Sequence, residues 1–514
     1  MKETVHTLTE EGRPQRRTVD SEDTSLRQAV RELLAGRRMI LASNRGPGLP
    51  RAQLTRGAGG VVISLIPVLK ASGATWVAAA SGPEERRLAQ DKTRLDLPED
   101  ERSYRLRLVP TDEEAYDQYY NQISNRLLWY ANHYLWDLPH TPTLLPHIHL
   151  AWEEGYRRIN QSFAEVIVEE AAGDVPPIVM LQDYHLLLVA GYLRKLLPKA
   201  VITHFLHTPW PQPDYLRVLP GKIRKEIFES LLSCNVLGFH TPGYVRNFLW
   251  CCQELAGVSV KEGDSALQSD GSVTYVRSYP ISIEHGPLKR FAESEEVRRL
   301  EEGLIEKNRG LKIILRVDRL ELSKNAMRGF LAYDLMLERH PELKGQVKFL
   351  AYLYPSRTAV EDYLRYAREI EEQVSLINDR HRLPGWQPIE MEIADNYPRS
   401  VAALLVYDVL LVNPTFDGMN LVAKEGPVVN RRNGLLILSE NAGAYQELGS
   451  QALSVNPFDV DQTADRLYQA LTMPDEDRRL RSSALRDMVE RTSSVKWLHQ
   501  QLKDIAELFP AGRN

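Results

Sequence analysis

A chain of 514 residues, 43% hydrophobic and 26% charged, is too long for one ordinary core and reads as a globular protein of two or three domains. A formal net charge of −5 gives no support for the basic stripe of a nucleic-acid binder, and no apolar run is long enough to cross a bilayer. The three cysteines, Cys234, Cys251 and Cys252, suit neither a disulfide framework nor a zinc or redox site; they read as buried thiols in a reducing cytoplasm.

Residues 1–36 begin without the apolar segment of a secretory signal and read as a polar, mobile extension. From Arg38 onward short apolar runs alternate with amphipathic stretches, the pattern of parallel sheets covered by helices. In the first half Met39-Ile40-Leu41-Ala42, Ile178-Val179-Met180-Leu181, residues 201–206 and Val236-Leu237-Gly238-Phe239 predict strands. In the second half Lys312-Ile313-Ile314-Leu315 and residues 347–353, 409–412 and 435–438 do so. Residues 278–284 read as a crossover. The organisation expected is therefore an extension over 1–36, a first domain over 37–280, a second over 281–490, and a terminal segment over 491–514 with a helix near 495–508. The fold class is α/β: two facing, Rossmann-like, doubly wound domains. Open α/β sheets bind ligands at the carboxyl ends of their strands, so two facing sheets share one cleft.

Three segments carry chemistry in this frame. Gly59 and Gly60 follow the first strand in Gly57-Ala58-Gly59-Gly60, where a glycine pair admits backbone closer to a phosphate or anomeric centre than any Cβ allows. Arg319 and Lys324 stand five apart in a loop expected after the strand ending at Leu315, so both can reach one pyrophosphate. Arg offers a planar fork and Lys a point charge, and fixed cations stabilise a departing diphosphate. Third, the apolar run 409–412 leads into Pro414-Thr415-Phe416-Asp417-Gly418-Met419-Asn420-Leu421-Val422-Ala423-Lys424-Glu425. A tight Asp-Gly turn opening into a helix aims backbone N–H groups at an anion. Asp417 can accept sugar hydroxyls and Glu425 can grip a ribose. The Asp459-Val460-Asp461 pair resembles a metal-ligating set, but it opens a helix and reads as a cap.

The 414–425 segment resembles the signature of trehalose-6-phosphate synthases, retaining nucleotide-sugar glycosyltransferases. Ser43-Asn44-Arg45 with the glycine pair, Gln182-Asp183-Tyr184-His185, residues 204–211, Gly238-Phe239-His240-Thr241 and residues 119–129 are similar to further motifs of that family. The resemblance implies the GT-B fold, an interdomain active site, and a last helix crossing back to the first domain. It implies that His207 contacts the donor sugar near the transferring carbon and that Asp183 contacts the acceptor. Gly59, Gly60, Asp417, Gly418, Met419, Asn420, Leu421, Val422 and Glu425 would hold the donor. Arg45, Tyr120, Trp129, Asp183 and Arg357 would hold the acceptor phosphate and sugar.

The implied reaction moves glucose from GDP-glucose, toward which the resemblance of Lys324-Asn325 to bacterial relatives leans, or from UDP-glucose, to glucose 6-phosphate by front-face displacement, with no cofactor and no metal. The implied partners are a nucleotide sugar and a sugar phosphate, with no nucleic acid and no membrane; a homo-oligomer is left open. Two departures bear on substrate choice: Asn325 stands where the family has Gly, and Ala80 stands where it has a second Trp. A cyclitol-coupling pseudo-glycosyltransferase, a glucosylglycerol-phosphate synthase and a silent sugar-phosphate sensor are the competing readings.

Overall fold

The computed structural model describes residues 28–30, 32–34, 36–47, 65, 66, 69, 72–97, 104–173, 175–261, 264–268 and 270–510. Most of the extension expected over 1–36, and both Gly59 and Gly60, lie outside the described residues.

The apolar runs form two sheets. In the first half the strands are β1 (Met39–Ser43), β2 (Thr75–Ala79), β3 (Arg94–Leu97), β4 (Tyr104–Val109), β5 (Ile178–Gln182), β6 (Val201–Phe205), β7 (Val236–Phe239), β8 (Ser259–Lys261), β9 (Ser265–Leu267) and β10 (Val273–Ser278). In the second they are β11 (Lys312–Arg319), β12 (Val347–Tyr354), β13 (Ile389–Ile393), β14 (Val409–Val412), β15 (Leu435–Ser439) and β16 (Leu453–Val455). The spatial orders are β3-β4-β2-β1-β5-β6-β7-β10-β9-β8 and β13-β12-β11-β14-β15-β16. The six-stranded sheet is parallel throughout. The other sheet is parallel at its centre, with antiparallel pairs at its two edges. Strands covered by helices on both faces must be apolar on both: every residue of β1, β5, β6, β14 and β15 is buried. Each half is thus a doubly wound α/β unit.

β11 runs four residues beyond its expected end at Leu315, because β12 pairs with it through Arg319 opposite Tyr354. Arg316 and Asp318 keep that stretch polar, and they satisfy each other inside the sheet at 2.9 Å. Arg319 is therefore the last residue of a strand, not part of a loop.

The sheets present their carboxyl ends to one another. The loop after β6 meets the loop after β14, and the loop after β5 meets the loop after β12. The halves are joined twice. Residues 279–284 cross over after β10, and the helix Ser494–Leu508 packs back beneath the first sheet. There Trp497 lies edge-on to Phe205 at 4.9 Å, and the Tyr279 hydroxyl donates to Asp504 Oδ2 at 2.7 Å. Glu284 ties the crossings together: its Oε1 accepts from the Ser494 amide at 2.8 Å and from the Ser494 hydroxyl at 2.6 Å. The three cysteines are free and buried. No helix among the described residues is long and apolar enough to cross a membrane.

Candidate active site

The 414–425 segment leaves β14 and folds against the other half at once. A Cβ on Gly418 would lie 1.8 Å from the His207 carbonyl oxygen, and one on Gly443 would lie 1.8 Å from the Gly418 carbonyl oxygen. Only glycine allows these backbones to approach so closely. The Tyr244 hydroxyl donates to the Asp417 carbonyl at 2.9 Å, again from the opposite half. The helix itself is Val422–Val429. Its Leu421, Val422 and Glu425 are partly exposed while the rest of the turn is buried, so these three form its open side. Met419 is buried beneath. Asn420, at φ 74°, uses Oδ1 to accept from the Ala423 amide at 3.3 Å. One of the helix N-terminal N–H groups expected to be free for an anion is therefore already occupied.

Lys324 closes the short turn after β11, and its Nζ lies 2.5 Å from Asp417 Oδ2. Asn420 Nδ2 donates to the same oxygen at 3.0 Å. Burial alone would raise the Asp417 pKa, but Lys324, His133 and Asn420 together bring the carboxyl below its ordinary value. Asn325, which stands where the resembled family has glycine, sits at φ 60°, a left-handed region that Asn tolerates better than most residues. Its Nδ2 donates to the carbonyls of Asn413 at 2.9 Å and Pro457 at 2.8 Å. The side chain thereby fixes the loop in the conformation a glycine would adopt freely.

Arg319 and Arg357 converge on one fully buried carboxylate, Glu321, at 3.0 and 3.2 Å. The Ser356 hydroxyl donates to the same oxygen at 2.8 Å. Burial opposes ionisation of Glu321, yet Arg319, Arg357 and Lys324 together bring its pKa down to about 2. Both guanidinium groups lie over the Trp129 ring, Arg357 at 3.9 Å and Arg319 at 5.7 Å from its centroid. Arg357 also donates to the hydroxyls of Tyr363 at 2.7 Å and Tyr184 at 3.4 Å. Arg319, assigned from sequence to the donor pyrophosphate, and Arg357 and Trp129, assigned to the acceptor, thus share one wall. Glu321 and Tyr184 were not singled out; the two-residue spacing from Arg319 was the only signal for Glu321.

On the first half, Gln118–Leu128 winds as a π-helix, a form frequent at functional sites. It presents Tyr120, whose ring stacks between Tyr116 and His185 with planes within 15° and 14°. Arg45 donates to the Tyr120 hydroxyl at 2.8 Å. Asp183 follows β5 at φ 71°, a conformation seldom kept without a structural reason. Burial raises its pKa to about 6, even though the amides of Tyr184 and His207 stabilise the carboxylate. His207 lies beside it, its amide donating to Asp183 Oδ1 at 3.2 Å and its Nε2 lying 2.9 Å from Gln182 Oε1. Burial holds His207 neutral. Ala80, at the departure from the tryptophan pattern, is fully buried in the core.

Both members of the Asp-x-Asp pair have protein partners. Asp459 Oδ1 accepts from the Gln462 amide at 2.8 Å, capping its helix, and Asp461 pairs with Arg339. Asp334, Glu338 and His381 form the one cluster among the described residues able to offer three metal ligands. Arg380 bridges both of its carboxylates at 2.6 and 2.9 Å, and His381 bonds Asp334 at 2.7 Å.

Residues 37–507 match glycosyltransferase family 20. The α,α-trehalose-phosphate synthase (UDP-forming) of Schizosaccharomyces pombe is 31% identical over 500 residues, 93% of this chain and 92% of that protein. An E. coli protein solved bound with UDP-2-fluoro glucose superposes with a TM-score of 0.78 at 30% identity, over 91% of this chain and 98% of that one. The UDP-forming α,α-trehalose-phosphate synthase of Burkholderia xenovorans, in complex with glucose-6-phosphate, gives 0.79 at 29% identity over 91% and 99%. Two facing parallel sheets, a polar cleft between their carboxyl ends and a family match along nearly the whole chain lead to one conclusion: this enzyme belongs to glycosyltransferase family 20, the trehalose-phosphate synthases, and has their GT-B fold.

Proposed function

We propose that the enzyme transfers glucose, with retention, from a nucleoside diphosphate glucose to glucose 6-phosphate, forming α,α-trehalose 6-phosphate. The observation that carries this reading is the meeting of Lys324 and Asp417 on one side of the cleft with Arg319, Arg357 and Trp129 beside them. A departing diphosphate gains charge as the glycosidic bond breaks, and preorganised cations lower that barrier without rearranging. Arg319 and Lys324 take this role. Arg45, Tyr120 and Arg357 hold the acceptor phosphate, and Asp183 orients the acceptor sugar. In front-face displacement the acceptor oxygen attacks the side the diphosphate leaves, and a leaving phosphate oxygen takes its proton. The protein then supplies position and charge rather than a nucleophile or a metal.

The relatives named as UDP-forming support UDP-glucose as donor. The Lys324-Asn325 pair, which resembles that of bacterial relatives suited to GDP-glucose, favours GDP-glucose as the second reading. Three buried free thiols fit a cytoplasmic setting. The test is an activity matrix of both donors against glucose 6-phosphate, glycerol 3-phosphate and a cyclitol phosphate, with anomeric configuration read by NMR. The expected result is an α,α-linked product with glucose 6-phosphate only. Product with another acceptor alone, or an inverted linkage, would overturn the reading.

A further inference from the structure

His133 is 1% exposed and caps the helix Trp129–Asn132 on the first half's wall of the cleft. Its ring stacks on Trp129, with centroids 3.8 Å apart and planes 26° apart. Its Nδ1 lies 2.9 Å from the Trp129 carbonyl oxygen. A carbonyl only accepts, so Nδ1 carries the hydrogen and Nε2 keeps its lone pair in the neutral ring. Burial lowers the ring's pKa to about 4, and the strongest charge acting on it is the Asp417 carboxylate of the opposite half.

The neighbouring residues pin this arrangement on both sides. Asn132 Nδ2 donates to Thr208 Oγ1 at 2.9 Å, beside His207. Tyr134, at φ 56°, places its ring 4.5 Å from that of Phe416, the residue before Asp417. Its hydroxyl accepts from the Gln212 amide at 2.7 Å. On the other wall Asp417 Oδ2 is taken by Lys324 and Asn420. No described residue donates to Asp417 Oδ1 or to His133 Nε2. Neither acceptor is among the side-chain atoms shut away from solvent without a partner, so each is open to a hydrogen donor from a ligand. Adjacent hydroxyls of a pyranose supply one hydrogen to each.

We propose that His133 is a sugar-binding residue, its Nε2 accepting a hydrogen bond from a hydroxyl of the transferred hexose, next to the hydroxyl accepted by Asp417. This rests on the donor-side reading given above.

The test compares kcat/KM of the wild type, His133→Phe and His133→Asn. The donor is whichever of UDP-glucose and GDP-glucose the wild type uses, together with each of its monodeoxyglucose analogues. Phe keeps the stack on Trp129, and Asn keeps an amide donor for the Trp129 carbonyl; thermal melting identifies which variants are folded. Both variants are expected to lose roughly tenfold with the parent donor, the scale of one hydrogen bond. With the one analogue lacking the bonded hydroxyl, wild type and variants should become equal. A loss that is the same for every donor, or no loss, would show that His133 is structural and overturn the inference. If the wild type turns over neither glucose donor, the functional reading itself falls, and this inference with it.

Discussion

Lys324 Nζ lies 2.5 Å from Asp417 Oδ2, so the cation proposed to meet a diphosphate and the carboxylate proposed to accept a sugar hydroxyl are paired across the loops after β11 and β14. Their side chains are only 12% and 15% exposed, which limits solvent screening of the pair. Asp417→Asn keeps the shape and removes the charge. It is expected to lower kcat/KM for the donor by about 10²-fold. Steady-state kinetics with varied donor checks this, and an unchanged kcat/KM would separate Asp417 from the donor site.

Glu321 is the buried counter-charge for Arg319 and Arg357. Losing one member of a buried charge cluster typically costs about 3–5 kcal/mol, so Glu321→Gln should lower Tm clearly and raise the acceptor KM. The folded pKa, about 2, is below the ordinary 4.5. The stabilisation is therefore full above pH 4.5 and fades as pH falls toward 2. The gap in Tm between wild type and Glu321→Gln should close over that window, as melting curves across pH will show.

Asp183 has the opposite sign. Its pKa rises from 3.8 to about 6, so the folded protein binds this proton more tightly than the unfolded chain. Folding stability is then lost as pH rises from 3.8 through 6. Asp183→Asn should be more stable than wild type above pH 6 by roughly 1–3 kcal/mol and equal to it below pH 3.8. Because the carboxylate is the form assigned to the acceptor, wild-type kcat/KM for glucose 6-phosphate should fall below about pH 6. A flat profile through that pH would contradict the assignment.

Gly418→Ala tests the close approach of the two halves. The added Cβ meets the His207 carbonyl at 1.8 Å, so the loops must separate. A misplacement near 1 Å can cost about 10² in rate, and a loss of kcat of that order is expected. Small-angle scattering should show a larger radius of gyration while circular dichroism stays the same. Wild-type dimensions and rate would mean that this contact does not control closure.

What the sequence disclosed follows from how local each signal is. β14 and the 414–425 segment were legible because an apolar run, a turn and a helix stand next to each other in the chain. β11 was cut short at Leu315 because Arg316 and Asp318 look like loop residues until their pairing inside the sheet is seen. Arg319 and Lys324 were suggested by their spacing after a strand, and the family resemblance of their segment singled them out. Glu321 was passed over, since burial of a carboxylate between two arginines depends on Arg357, which is remote in the chain. His133 was passed over for the same reason: an isolated histidine after a helix gives no sign that the charge of Asp417 will act on it. The antiparallel edge β8-β9-β10 was not foreseen either, its short strands being too polar to stand out.

The most direct test of charge stabilisation at the departing diphosphate is kcat for Lys324→Ala at saturating donor and acceptor, with Tm measured on the same sample. A folded variant slowed by about 10²–10³-fold is the expected result. A folded variant that turns over at nearly the wild-type rate would contradict the account.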